Sequence, residues 1–356
     1  MRLHNLRLRG ITEAFPNEIC VDFDRLGEGL IAIVGENGAG KSTLIGSVFA
    51  ALFRQLPGQK RSLYDFATHP QPEIDLTFSV NGARYRSLLK IDPKSRQMES
   101  YLFNGEGKPL TNGKKEPYEE LVRKCAGTPN FFLSSIFSCQ ARTGTRLAQV
   151  EAELGAARSE QEDYAYLAKV FGPDEIQLCE IQAAGPQVST LVNNLLEGCF
   201  DNKFEIRFRT QRPKADGKGM VDDFDVEVRN KNLDRTCLVD ELSGGQFVLV
   251  NEAVNLGIAI YNMRQGEGIR YETLFRDETV GALDAANGKE YVRMLRRAMD
   301  LGGFHQVIFI CHTPLVWELA DNIISVGGGR VVMGGREAAI AAESPQPAPL
   351  EPAVFA

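Results

Sequence analysis

The chain has 356 residues, 43% of them hydrophobic, which is enough for two domains or one large composite one with a substantial core. Its 40 Lys and Arg against 47 Asp and Glu give a net charge of −7, which does not favour a general nucleic-acid coat and leaves room for a local basic groove. The 7 cysteines are scattered with no C-x-x-C pair, so they read as reduced thiols of a cytosolic protein with no zinc site.

Met1–Arg9 mixes basic and apolar residues without an apolar h-region and reads as a strand, not a signal peptide. No run reaches the roughly 18 apolar residues of a membrane span. Met1–Phe53 as a whole reads as strands leading to a phosphate loop and its helix. Leu30–Val34 is a short apolar run, Gly35–Thr43 spells Gly-Glu-Asn-Gly-Ala-Gly-Lys-Ser-Thr, and Leu44–Leu52 is helix-compatible. This is the pattern G-x-x-x-x-G-K-[ST] in its strand–loop–helix context. The glycines let backbone N–H groups turn toward phosphate oxygens, and the helix N-terminus adds positive potential there. Asn37, Gly38, Ala39, Gly40, Lys41, Ser42 and Thr43 are therefore candidate nucleotide-binding residues. Lys41 can reach the β- and γ-phosphates, and Ser42 can ligate Mg²⁺.

Ile74–Ile91 alternates as a hairpin with Asn81-Gly82 at its turn. Tyr101–Phe103 adds a strand, a polar loop runs through Lys115, and Glu116–Cys125 is a helix. Leu147, Val150, Leu154, Ala157, Gln161, Tyr164 and Ala168 then recur at steps of 3 and 4, an a/d seam of about three heptads. Gly155 interrupts it, so the segment is either one helix or two short antiparallel arms. Phe204–Phe208 and Phe224–Val228 read as strands, Gly245–Tyr261 as a long helix, and Thr273–Phe275 and Val307–Cys311 as core strands. The Ala- and Pro-rich tail, Ala338–Ala356, reads as disordered.

Five further features follow the phosphate loop in a fixed order and resemble those of ABC-type ATPases. Gln140 resembles the Q-loop glutamine, a Mg²⁺ and nucleophile sensor. Glu241-Leu242-Ser243-Gly244-Gly245-Gln246 resembles the signature, whose Ser243, Gly244, Gly245 and Gln246 would receive a γ-phosphate at a helix start. Asp277-Glu278 resembles the Walker B end, with Asp277 on Mg²⁺ and Glu278 polarising the attacking water. Gly281–Asp284 resembles the D-loop, which places Asp284 beside the nucleotide, and His312 resembles the switch histidine.

The long interval from Gln140 to Ser243 contains the seam and then Phe171–Gln177, Asn193–Leu196 and Phe204–Phe208. It resembles the SbcC-type ATPases of DNA double-strand-break repair, within the SMC-like superfamily. The resemblance implies an α/β head of N- and C-terminal lobes, mixed sheets flanked by helices, and a short helical or coiled-coil stub. The implied boundaries are 1–140, 141–170 for the stub, 171–337, and a tail at 338–356. It implies ATP hydrolysis with Mg²⁺ by a head-to-tail homodimer, an SbcD-type metal-dependent nuclease as partner, double-stranded DNA as ligand, and a cytoplasmic, nucleoid-associated setting without membrane. The chain itself offers no metal cluster for cutting DNA.

Three departures stand out: the coil is almost absent, the C-x-x-C hook is missing, and Gln246 replaces the family's glutamate. In addition, Arg276 stands where an apolar strand residue is usual, which implies a side chain aimed at the dimer interface or at DNA. Lys60, Arg61, Lys94, Arg96, Lys114, Lys115, Arg207, Arg209 and Arg212 either line a DNA groove or are scattered solvated charges. Alternative readings are an SMC-like DNA clamp, in chromosome organisation or phage defence, and a transporter ATPase subunit.

Overall fold

The computed structural model describes residues 1–57, 62–139, 173–197, 199, 202–213, 220–232, 234–265, 268–277 and 285–334. Strands β1 (Arg2–Arg9) and β2 (Ile19–Asp22) pair antiparallel, and helix α1 (Phe23–Leu26) follows. Asp22 caps α1 by accepting a hydrogen bond from the Arg25 amide at 3.1 Å. Strand β3 (Gly29–Val34) is a continuous apolar run, with no residue from Leu30 to Val34 above 1% exposure. That is the signature of a strand covered on both faces. Helix α2 (Lys41–Phe53) is apolar almost all round and is buried over most of its length. Each large aliphatic side chain buried in this way is worth about 1.5–3 kcal/mol.

Strands β4 (Glu73–Val80), β5 (Ala83–Asp92) and β6 (Gln97–Asn104) form a meander. Burial alternates residue by residue along β4, so one face meets the core and the other meets solvent. Asn81 and Gly82 both have positive φ, 49° and 81°, the two-residue turn that matches strand twist. Helices α3 (Lys115–Ala126) and α4 (Pro129–Ser135) and the three-residue strand β7 (Phe137–Cys139) complete the N-terminal half.

Beyond it lie α5 (Pro173–Leu196), β8 (Phe204–Pro213), β9 (Met220–Asn230), β10 (Arg235–Leu238), α6 (Gly244–Gln265), β11 (Thr273–Asp277) and α7 (Ala285–Gly302). Then come β12 (Gln306–Ile310), α8 (Pro314–Trp317), β13 (Asn322–Gly327) and β14 (Arg330–Gly334).

The strands form three sheets: β2-β1-β4-β5-β6, β10-β9-β8, and β14-β13-β3-β12-β11-β7. In the third, β13, β3, β12, β11 and β7 are parallel and only β14 runs against its neighbour. This sheet takes β3 and β7 from before residue 140 and its other four strands from after residue 172. The architecture is the α/β head read from the sequence, with mixed sheets flanked by helices. The expected strands and helices are present, several of them longer than read; β12 ends at Ile310, one residue early. The heptad seam and the tail lie outside the described residues.

Phe49 and Phe53 of α2, Phe132 of α4, Phe137 of β7 and Phe275 of β11 pack with ring centroids 4.7–6.4 Å apart. Contacts of this kind are worth about 0.5–1.5 kcal/mol each beyond area burial. They hold the helix behind the phosphate loop against the strand that ends in Asp277.

On the other side of the sheet, Asp321 accepts the Leu30 amide at 2.7 Å and two guanidinium bonds from Arg296 of α7 at 3.0 and 3.1 Å. Burial raises the Asp321 pKa, but the Arg296 and Leu30 hydrogen bonds outweigh it and the net shift is downward. A lowered carboxylate contributes stability that is present above its unfolded value, about 3.9, and is lost as pH falls through the folded one. Asp321→Asn should therefore lower the melting temperature at pH 7, and the gap from wild type should narrow as pH falls below the unfolded value of about 3.9 and through the lowered folded one. Thermal melts of both proteins from pH 7 to pH 2 check this.

Candidate nucleotide site

Parallel strands deliver their C-terminal ends to one edge, and that edge collects the candidate residues. Ile33 pairs with Ile310, so the phosphate loop after β3 and His312 after β12 leave the sheet side by side. Asp277 ends β11 and pairs with Cys139 of β7, the residue before Gln140. Gln140, Glu278 and Asp284 themselves lie outside the described residues, as do Lys60 and Arg61.

Within the loop, Gly35, Gly38 and Gly40 have φ of 143°, 80° and 104°, values that L side chains rarely adopt. At Gly40 a Cβ would stand 2.6 Å from Ala14 Cβ and 2.9 Å from Phe15 Cζ. At Gly38 it would meet nothing within 4 Å. The loop is thus packed on one side and open on the other, as a phosphate cradle requires. Lys41, 4% exposed, folds over the loop and donates to the Gly35 and Glu36 carbonyls at 2.9 and 2.8 Å. Ser42 donates to Asp277 Oδ1 at 2.9 Å across 235 residues of sequence. Two hard oxygen donors so placed fit a hard divalent cation, and the amides and Lys41 fit a polyphosphate.

A cavity of about 590 Å³ opens over the loop, lined by Asn37, Gly38, Gly40, Lys41, Ser42 and Thr43. That volume lies within the roughly 300–1,000 Å³ of small-molecule clefts. Its far wall, Thr12–Ala14 and Asp65–Thr68, is absent from the sequence reading. The two segments are stitched together: Thr12 N donates to Phe66 O at 2.7 Å, Thr68 N to Gly10 O at 3.0 Å and Thr68 Oγ1 to Thr12 O at 3.0 Å. Gly10 and Thr12, both with positive φ, mark this wall locally.

Ser243, Gly244, Gly245 and Gln246 are not among the residues lining this cavity. Ser243 and Gly244 are exposed, and the Ser243 carbonyl accepts the Phe247 amide at 2.8 Å as α6 starts. His312 is exposed after β12, beside Cys311, whose thiol is pushed up by burial and stays protonated. Ala39 packs at the edge of the core.

Arg276 corrects the expectation that it faces a dimer interface or DNA. Its side chain is 3% exposed and lies 3.1 Å from Glu252 of α6, itself 2% exposed. The side chain is held inside by the carboxylate it pairs with. Of the described basic positions, Arg96 pairs with Asp65 at 3.1 Å and Arg207 with Glu205 at 2.8 Å; Lys115 is within 3.9 Å of Glu119. Lys94 and Arg96 border the β5–β6 turn, Lys114 and Lys115 start α3, and Arg207, Arg209 and Arg212 lie on β8.

Residues 5–178 match the family model described as an AAA domain. The SMC head domain from Thermotoga maritima superposes with a TM-score of 0.57 at 19% identity, covering 94% of this chain and 99% of that one. An Smc head bound to the C-winged helix domain of ScpA gives 0.58 at 17%, covering 96% and 100%. Among curated proteins, the macrolide export ATP-binding/permease protein MacB of Salmonella typhi is 35% identical over 92 residues. That stretch is 26% of this chain and 12% of MacB. The probable syringafactin export protein SyfD of Pseudomonas syringae pv. tomato is 33% identical over 112 residues, 32% of this chain and 15% of SyfD. The match therefore spans only 12–15% of the length of these relatives. Residues 5–178 thus match an AAA domain, and the chain shares the fold of the SMC heads.

Gly40→Ala should destabilise the fold by about 1–3 kcal/mol and weaken nucleotide binding, because positive-φ strain and a backbone-proximal clash act together. Gly38→Ala, with open space ahead of it, carries the strain alone. Chemical denaturation and calorimetric ATP titration of both variants separate the two effects.

Proposed function

We propose that this chain is an ATP-hydrolysing head that works as a head-to-tail dimer, in the manner of SbcC-type repair ATPases. Closure of the dimer on ATP gates double-stranded DNA and a partner SbcD-type metal-dependent nuclease. The observation that carries this reading is the separation of two half-sites on one chain. The phosphate loop, Lys41, Ser42 and Asp277 share one cleft, and the exposed signature turn at Ser243 lies off it. A second head would bring its own Ser243–Gln246 over that cleft.

In this dimer Asn37–Thr43 wrap the phosphates with backbone amides, and Lys41 exchanges loop carbonyls for phosphate oxygens. Ser42 and Asp277, with Gln140, would hold Mg²⁺, which neutralises charge on the β- and γ-phosphates. Glu278 accepts a proton from the attacking water, His312 contacts the γ-phosphate, and Asp284 approaches from the D-loop. Ser243, Gly244, Gly245 and Gln246 of the other head present a hydroxyl, amides and a helix N-terminus to the same phosphate. ATP favours the closed state because only that state completes both half-sites. Thr12–Ala14 and Asp65–Thr68 would face the nucleoside.

Glu278→Gln should lower turnover about 10²–10⁴-fold, the usual worth of a general base, and accumulate the ATP-bound dimer. Phosphate release and light scattering read both; normal hydrolysis would remove Glu278 from the role of base. Ser243→Arg should keep ATP binding and abolish the ATP-dependent dimer, as measured by calorimetry and sedimentation.

The likeness to SMC heads, one of them solved with ScpA, favours an SMC-type DNA clamp as the second reading. Co-purification separates the two: a metallophosphoesterase supports the repair ATPase, and a winged-helix partner supports the clamp. The transporter reading rests on matches to a quarter to a third of the chain, against 94–96% for SMC heads. Among the described residues no helix is long and apolar enough to cross a membrane.

A further inference from the structure

Three chain segments that lead to different parts of the nucleotide machinery meet around one buried charge pair. Arg276 precedes Asp277 on β11 and pairs in register with Ser138 of β7, two residues before Gln140. Glu252 lies on α6, eight residues beyond Gly244 and so about 12 Å along the helix from the signature turn. Helix α4, which leads directly into β7, packs against α6. The Arg276 side chain is 3% exposed and that of Glu252 2%, with Nε and Oε1 3.1 Å apart.

The pair is close enough for strong attraction, yet the Arg276 Nε–H is not aimed at the carboxylate, and Nη2 has no acceptor among the described residues. Charge attraction falls slowly with distance, whereas a hydrogen bond fails quickly with angle. Such a contact resists separation of α6 from β11 and still tolerates a small slide between them. A buried ion pair is also a poor choice for stability alone, since well-packed apolar residues do as well or better.

We propose that the Arg276–Glu252 pair is a positioning device that couples the two ATP sites of a head dimer; this rests on the head-to-tail reading above. In that dimer the signature turn of a head serves one nucleotide and its phosphate loop with Asp277 serves the other. Seating of a γ-phosphate on Ser243–Gln246 moves α6 along its axis. The pair carries that movement to β11, and Asp277 and Ser42 adjust at the second site. Occupation of one site then raises the affinity of the other, and ATP hydrolysis is cooperative.

The test is the Hill coefficient for ATP in steady-state hydrolysis by the full chain, for wild type, Glu252→Gln, Arg276→Met, and Arg276→Met with Glu252→Leu. Wild type should approach the limit of about 2 set by two sites. Glu252→Gln, which keeps the shape and removes the charge, and the double apolar variant should both fall toward 1. The melting temperature of the double variant should stay near or above that of wild type, since no charge is left buried alone. A purely structural pair would move melting temperatures and leave the Hill coefficient unchanged. A wild-type dimer whose cooperativity survives in Glu252→Gln and in the double variant overturns the coupling and leaves the dimer standing. A wild-type head that stays monomeric with ATP in sedimentation overturns both. If Arg276→Met alone fails to fold, Glu252→Gln still decides.

Discussion

The parallel alignment of β3, β12, β11 and β7 is the constraint on which the site depends. A parallel strand must be re-entered from the same end as its neighbour, so each crossover returns the chain to one edge and each strand leaves by the other. From Leu30 to Val34 in β3 and from Val307 to Ile310 in β12 the strands are apolar and buried, so the polar chemistry they serve lies at their ends. At the C-terminal edge the chain breaks from the ladder, exposes amides and starts α2 beneath them. Register does the rest. Ile33 opposite Ile310 and Asp277 opposite Cys139 leave little freedom in where the following residues emerge. Ser42 and Asp277 meet at 2.9 Å because two strands one apart in the sheet end at the same height.

That edge supplies only half of what a triphosphate can use. The amides of the phosphate loop and the start of α2 address the phosphates from below, and solvent lies above them in an isolated head. The start of α6 offers a second set of amides and a hydroxyl, exposed to solvent and away from the cleft. A helix N-terminus exposed in this way gains by meeting an anion, and the gain is larger where water is excluded. A ligand that binds only the assembled state stabilises that state by RT ln(1 + [L]/Kd), and two such ligands act together. In the proposed dimer, stability is thereby a function of nucleotide.

Much of this is legible in the residue order, for reasons that differ by element. The phosphate loop is legible because its backbone demands positive φ at Gly35, Gly38 and Gly40, and that demand selects glycine. The Ile74–Ile91 hairpin is legible because β4 alternates strictly and Asn81-Gly82 suits the turn. The far wall of the cleft is hard to read in the sequence, because its two segments lie more than 50 residues apart and meet mainly through backbone hydrogen bonds, with only Gly10 and the Thr68 hydroxyl as local marks. Strand β7 is three residues long and gains its strand character from pairing with β11. Arg276 misleads for a simple reason. An arginine in a strand suggests a surface, and only the fold shows that α6 brings a carboxylate to it.

The energetics of that last pair separate stability from function. Burying a guanidinium and a carboxylate costs several kcal/mol per ion, and their attraction at 3.1 Å returns the cost only with good geometry and full hydrogen bonding. Here the alignment is incomplete, so the return is incomplete as well. Removing one charge alone is more disruptive than replacing both, because the charge that remains keeps its desolvation cost and loses an attraction that offset it. A sheet of Ile, Val, Leu and Phe packed against α6 could have had an apolar residue at this position with no such risk. What an apolar contact lacks is direction and reach. Dispersion dies within a fraction of an ångström of lost contact, whereas opposite charges in a low-dielectric interior stay attracted through a small displacement. A link that must remain engaged while a helix shifts against a strand is therefore better made from charge, and β11 and α6 are the two elements that end at Asp277 and begin at Ser243.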